Sequence, residues 1–279
     1  PVISPLRANI ALGSGFLGAL LGLGGGVIMV PLLIVLLDIP IHIAAGASII
    51  AVVATSSAAT SGYVKNEITN TRLGMFLELA TTVGALTGAF LMSLVSESFL
   101  QILLGASLVY AATVMFNKMR SPDNSWTNKP NDWLAERLHL GGSYWDDAIG
   151  AQVEYGVHRT LPTFFISYIA GIISGLLGIG GGGIKVPAMN VISNIPMKVS
   201  VATSNFMIGV TASASALVYL RHGYCDFFIT APVVLGTLIG SSLGAKATKQ
   251  IQGVSLKRLF VLVLLILGLR MVLMGASLL

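Results

Sequence analysis

Thirty consecutive residues without a charge, Ala8 to Leu37, carry three adjacent glycines near their middle, Gly24, Gly25 and Gly26. As one helix the run would extend about 45 Å, well beyond a bilayer hydrocarbon core of about 30 Å. Adjacent glycines also cost a helix stability, so the run is predicted to break there. The arrangement recurs. LLGLGGGVIMVP, Leu20 to Pro31, returns as LLGIGGGGIKVP, Leu176 to Pro187, with nine of twelve positions identical and an offset of 156 residues. Any fold for this chain has to place two broken helices inside apolar segments.

Only 10% of the 279 residues are charged and 54% are hydrophobic, with a mean hydropathy of +0.86. A soluble domain would carry about a quarter charged residues, so that class is excluded. Further uncharged runs, among them Ser98 to Asn117, Thr160 to Ile184, Val199 to Leu220 and Phe227 to Ala245, are of membrane-spanning length. Their mixture of glycine and branched aliphatics lacks the strict alternation of an outer-membrane barrel. The reading is an all-α, polytopic protein of the cell (plasma or inner) membrane, with the lipid bilayer as partner. The net charge of +5 is read loop by loop, as topology, and nucleic acid is not a partner. The single cysteine, Cys225, excludes an intrachain disulfide framework. The opening PVISPLRAN lacks the basic and apolar regions of a cleavable signal.

The repeat extends well past the glycines. Pro31 matches Pro187, Ile39-Pro40 matches Ile195-Pro196, and Ser48, Thr55, Ser57 and Tyr63 match Ser204, Thr211, Ser213 and Tyr219; Gly84 and Gly88 match Gly240 and Gly244. This divides the chain into a first transmembrane repeat (1–117), a polar cytoplasmic connector (118–159) and a second transmembrane repeat (160–279). The link Lys246 to Arg258 carries four basic residues and no acid, whereas its counterpart around Glu97 has no Lys or Arg. The first is therefore placed inside and the second outside, which makes the repeats inverted. Residues 183–195 reach only about 20 Å as helix and cannot cross alone. The simplest topology gives six full crossings and two re-entrant hairpins of half-depth helices, the glycines at their tips, with the chain's first residues outside.

Irregular backbone at membrane depth is tolerated where it is buried in protein or lines a wet cavity. Two glycine tips entering from opposite faces would meet near the midplane. There the helices that follow would present free amides and positive dipole ends to an anion. Lys185, two residues past the second glycine run, is the one cation well inside an apolar segment and a functional candidate on that ground; a lysine that snorkels or meets a packed carbonyl is the alternative. The predicted substrate site comprises Gly24, Gly25, Gly26, Ser48, Gly181, Gly182, Gly183, Lys185, Thr203, Ser204 and Asn205. The hydroxyl residues lie about two turns into the helix after each hairpin; bonding to their own backbone is the competing role.

The remaining polar residues read more plainly. G-x-x-x-G at Gly84/Gly88 and Gly236/Gly240/Gly244 marks close helix packing. Arg270 is read as snorkelling to the outer face. Glu78 is read as interfacial or helix-packed in preference to a proton carrier; no carboxylate for proton coupling is evident within the core, which favours uniport or coupling through His42 or Glu78. His42 and Lys198 occupy equivalent positions at a mouth, as gates or as interfacial residues. The four histidines lie outside the core spans and no His-Glu-x-x-His string occurs, which argues against an intramembrane enzyme. No metal, cofactor or ATP-binding motif is called for. A homo-oligomer is left open.

GLGGGVIMVP and GIGGGGIKVP, each followed by a proline and a small-residue helix (IPIHIAAGAS and IPMKVSVATSN), resemble the sulfite exporter TauE/SafE family of membrane permeases. The connector GGSYWDDAIGAQVEYGVHR is similar to that of one TauE-like branch. The resemblance implies a secondary transporter moving small sulfur-containing oxyanions, sulfite or organosulfonates such as sulfoacetate, outward by alternating access. A permease or importer for another small organic anion, or an anion channel, is the alternative. Val27 and Met29 depart from their counterparts Gly183 and Lys185, so substrate is expected nearer the second tip.

Overall fold

The computed structural model describes residues 5–21, 23–65, 67–119, 131–146, 150–248 and 253–277. The first uncharged run breaks at its glycines. Helix α1 (Pro5–Leu21) stops short of them and α2 (Gly26–Leu37) starts on the last. Gly24 and Gly25 hold φ of 70° and 80°, a region that a side chain resists. Asp38 closes α2 in the left-handed region, and Pro40 then leads into α3 (Ile41–Lys65). The Asn70 side chain accepts the Leu73 N–H at 3.0 Å and so starts α4 (Thr71–Leu91). A 3-10 turn leads to α5 (Glu97–Met119).

The second half repeats this order as α7 (Thr160–Leu177), α8 (Gly182–Pro187), α9 (Met197–Arg221), α10 (Phe227–Thr248) and α11 (Gly253–Ser277). The starts of α8 to α11 each fall 156 residues after those of α2 to α5. The breaks are alike too, with positive φ at Gly178, Gly180 and Gly181. One difference is local: α2 runs on past Pro31 to Leu37, whereas α8 gives way after Pro187 to a π turn, Ala188–Ile192.

Between the halves stand a short helix, α6 (Trp133–Arg137), and an antiparallel hairpin of β1 (Gly142–Asp146) and β2 (Ala151–Tyr155), paired from Gly142↔Tyr155 to Asp146↔Ala151. The strands are a feature that the reading of 118–159 as a polar connector did not include. Asp132 ties this region to α7: its carboxylate accepts the Ala135 N–H at 2.7 Å, the Thr160 N–H at 2.7 Å and the Thr160 hydroxyl at 2.9 Å. Burial pushes the Asp132 pKa up, but these donors and His158 outweigh it, and the net shift is downward. Tyr155 is pushed up to about 12 by burial, against the opposing hydrogen bond from Asn70. The connector charges Arg120, Asp123, Lys129 and Asp147, with Lys249 of the basic link, lie outside the described residues.

Among the described residues five helices are long and apolar enough to cross a membrane: α3, α4 with its 3-10 extension, α7, α9 and α10. In α5 and α11 the apolar stretches are shorter, Glu97–Thr113 and Val261–Ser277. Helix α7 departs from the expected half-depth arm. It continues through Gly171 and Gly175 and breaks only at Gly178, so its 18 residues reach about 27 Å. Large apolar side chains such as Leu79, Leu94, Phe165, Phe228 and Leu273 face outward, while alanines and glycines fill the interior. That inversion of the soluble pattern is what a lipid-facing surface requires.

The halves interlock. Helix α1 packs on α10, α7 on α4, and α5 on α11. Glycine makes the approach close: a side chain on Gly84 would strike the Tyr168 carbonyl and one on Gly88 the Ile172 carbonyl, while Gly240 and Gly244 stand in the same relation to Leu12 and Phe16. These are the predicted packing glycines, and contacts advancing together along both chains make α4 parallel to α7 and α1 parallel to α10. Tyr63 donates to the Ala19 carbonyl at 3.1 Å and its counterpart Tyr219 to the Gly175 carbonyl at 2.8 Å.

Candidate functional site

The two glycine breaks come to the same place. A methyl on Gly24 and a methyl on Gly180 would each press on the same two side chains, at 2.8 Å from Ile208 and at 3.2 and 2.9 Å from Val52. Ile208 and Val52 are themselves repeat counterparts, on α9 and α3. Gly26 has Ser48 Oγ and the Ile179 backbone beside it, at 2.8 and 3.0 Å from where a Cβ would stand. Gly183 faces Val27 at 3.7 Å. The loops are thus in mutual contact, each backed by the first residues of a short helix. The earliest intrahelical bonds are Ile28 N–H to the Gly25 carbonyl and Ile184 N–H to the Gly181 carbonyl. The amides before them, Gly26 and Val27, then Gly182 and Gly183, belong to the unpaired first turn.

Ser48 is fully buried, and its hydroxyl has no hydrogen-bond partner among the described residues. Asn205 is likewise buried; its amide nitrogen donates to the Val201 carbonyl at 3.1 Å and the Ala19 carbonyl at 3.3 Å, and its Oδ1 has no partner among them. A buried acceptor or hydroxyl left in that state costs free energy unless a ligand or water meets it. Ser204 is buried on the same helix. Thr203 is turned elsewhere, its hydroxyl accepting the Asn70 N–H at 3.0 Å at the start of α4.

Lys185 sits directly under the second glycine loop, its side chain 3.0 Å from where a Gly181 methyl would stand, and is 1% exposed. Neither of the sequence alternatives describes it. Its ammonium donates to Thr211 Oγ1 at 2.9 Å, and Thr211 in turn donates to Glu78 Oε1 at 2.7 Å, with the Met207 carbonyl at 3.0 Å as a second acceptor. The same carboxylate accepts from Thr82 at 2.7 Å and from Thr81 at 2.8 Å. A cation of one half is thereby tied through α9 to an acid of the other.

Glu78 is not interfacial: it is 7% exposed on α4, where that helix packs on α9, so the helix-packed alternative holds and the core does contain a carboxylate, joined to Lys185 through Thr211. A signal was present in the sequence. An acid followed at three and four residues by Thr81 and Thr82 brings its own hydrogen-bond donors into an apolar helix.

The two residues read as gates or interfacial residues each lie beside an acid. Lys198 donates to Asp146 of the connector hairpin at 2.7 Å, and His42 lies 3.7 Å from Glu97. Arg270 is exposed on α11. No group of three or more His, Cys, Asp or Glu side chains that could hold a metal gathers among the described residues. Between α3 and α9 opens a cleft of about 650 Å³ lined by hydroxyls, including Ser57, Thr60, Ser61 and Ser213.

The model of the family described as Sulfite exporter TauE/SafE matches residues 8–271. Similar proteins include the probable membrane transporter protein YunE of Bacillus subtilis, 25% identical with 94% of each chain covered. YdhB of the same organism, another probable membrane transporter protein, is 27% identical over 91% of this chain and 93% of its own. Sulfite exporter TauE/SafE family protein 5 of Arabidopsis thaliana is 32% identical over 105 residues, 36% of this chain and 23% of that protein. No solved structure matches. With membrane-spanning helices, a site built of backbone and two buried charges, and a family match along nearly its whole length, this chain belongs to the TauE/SafE sulfite exporter family of membrane transporters.

Proposed function

We propose that the protein is a secondary transporter of small sulfur-containing oxyanions, sulfite or an organosulfonate such as sulfoacetate, and that it moves them outward across the plasma (inner) membrane by alternating access. The observation that carries this reading is the meeting of the two glycine loops over one pair of side chains, Val52 and Ile208, with Lys185 beside them. An oxyanion taken out of water needs its charge and several acceptor oxygens satisfied. The amides of Gly24 to Gly26 and Gly181 to Gly183, the Ser48 hydroxyl and the Lys185 ammonium supply donors of the required kind. The Asn205 amide flanks them, with Thr203 and Ser204 further along α9.

The packing between the halves supports inverted repeats. Helix α5 runs antiparallel to its own repeat counterpart α11, Gly105 meeting Gly268 while Ser98 and Ile102 meet Gly275, as inversion about a midplane axis requires. Such an arrangement gives two related conformations, each open to one face. The name of the Arabidopsis relative is that of a sulfite exporter, which favours sulfite over carboxylates.

Reconstituted protein tested with sulfite, taurine, sulfoacetate, sulfolactate and the matching carboxylates is expected to show saturable counterflow of a sulfur oxyanion. Flux that follows voltage without saturating would mark a channel instead. If Lys185→Ala and Gly181→Leu left binding and flux intact, the site would lie elsewhere.

A further inference from the structure

We infer that Glu78 carries a proton in step with the anion, so that loaded and empty forms of the transporter both cross with their site charges balanced; this rests on the anion site proposed above. The reasoning starts from charge. Lys185 and Glu78 are both buried and joined through Thr211, so the empty site holds one positive and one negative group. Bringing in a monoanion would leave one uncompensated negative charge in a medium that stabilises it poorly. A proton taken up by Glu78 from water on the open side restores neutrality and frees the Lys185 charge for the anion. On the far side proton and anion leave together, and the Lys185–Glu78 pair re-forms. No covalent bond is made or broken beyond the O–H of the carboxyl group.

The surroundings of Glu78 accommodate both protonation states. All three of its side-chain partners, Thr81, Thr82 and Thr211, are hydroxyls, which can donate to a carboxylate or accept from a carboxylic acid. Thr211 also has the Met207 carbonyl within reach, so its proton has an alternative acceptor when Glu78 is neutral. An arginine or backbone amide in these places would hold the carboxylate permanently ionised.

Other charges near by are already committed or distant. Helices α7 and α9 pack on α4. Helix α7 carries Tyr168, with Arg159 exposed at its cap. On α9, Lys198 is paired with Asp146, Tyr219 donates to the Gly175 carbonyl, and Arg221 is exposed at the far end. Arg72, on α4 itself, is exposed. Lys185 is the cation joined to Glu78.

The test uses the full chain in proteoliposomes with two labelled monoanions, bisulfite (sulfite in mildly acidic buffer) and, separately, methanesulfonate. The wild type is expected to exchange at least one of them and, on binding it, to gain an infrared band of a protonated carboxyl that Glu78→Gln lacks. Glu78→Gln fixes the neutral form, so the loaded carrier still crosses but the empty one is left with the bare Lys185 charge. Net efflux should fall roughly 30-fold and lose its pH dependence, while exchange stays within about threefold of wild type. Exchange of neither anion would overturn the anion reading and the coupling with it. Exchange without the carboxyl band, or net efflux by Glu78→Gln with a wild-type pH profile, would overturn the coupling alone.

Discussion

Met29, Thr55 and Val234 are the repeat counterparts of Lys185, Thr211 and Glu78, so each of two related pockets draws two residues from one half of the chain and the third from the other. The backbones around them are alike in helix order, in the glycine conformations and in the helices they join. Met29 is as deeply buried as Lys185. Thr55 has nothing to relay and bonds back to the Ala51 carbonyl at 2.8 Å, one turn earlier on its own helix. The same position thus serves as a plain helix residue in one copy and as a link between two charges in the other. Duplication supplied the frame, and two side chains differentiate a charged pocket from an apolar one.

The largest effect is expected from making the charged pocket like the apolar one. Lys185→Met alone leaves Glu78 buried without its cation, and breaking such a pair from one side costs about 3–5 kcal/mol. The double change Lys185→Met with Glu78→Val rebuilds the set of Met29, Thr55 and Val234. It should recover most of that stability, read as the melting temperature in detergent, while anion flux stays at background. A double variant no more stable than Lys185→Met would mean that the two charges do not compensate one another.

The repeat, the helix breaks and the glycine packing were legible in the sequence because each is written in local residue types at a fixed offset. The Glu78–Lys185 connection was not. It joins residues 107 positions apart in different halves, and no offset relates them. Glu78 lies two turns into its helix, a depth at which sequence alone gives an acid either an interfacial place or a buried one. The deciding fact is that α4 packs against α9 of the other half. Thr203 illustrates the same limit: depth along α9 placed it at the site, but its direction around the helix takes it to Asn70. Thr211, two turns further on, was visible only as the repeat match of Thr55.

A smaller effect should separate the two threonines. Thr211→Val keeps the shape of the side chain and removes the relay, and net efflux should drop about tenfold, the equivalent of one hydrogen bond to a charged group. Thr55→Val removes only a back-bond within α3 and should leave flux within about twofold. Equal losses in the two variants would show that hydroxyls matter here for helix packing alone.

The glycines allow a finer distinction. Gly25→Ala and Gly181→Ala both force a side chain into positive φ, at 80° and 73°, and each should cost about 1–2 kcal/mol. Their neighbours differ: the new methyl would stand 3.2 Å from the Ser14 carbonyl in the first case and 3.0 Å from the Lys185 side chain in the second. At equal loss of stability, Gly181→Ala should therefore show the greater loss of anion affinity, measured as the half-saturating concentration for counterflow.

The smallest effect concerns how the two first helices are anchored. Helix α7 is fastened at its start by Asp132, which accepts the Thr160 N–H and hydroxyl and caps α6 as well. Because hydrogen bonding holds the Asp132 pKa below the ordinary carboxylate value of 3.8, its contribution is fully present above that value and is lost as pH falls through the depressed one. Asp132→Asn should lower stability at neutral pH by about 1 kcal/mol, the usual worth of a helix cap. The difference from wild type should shrink in strongly acidic buffer, where the wild-type carboxyl is protonated too. A gap that stayed constant with pH would mean that the side chain acts through its shape and neutral hydrogen bonds, and that the anchoring of α7 does not depend on charge.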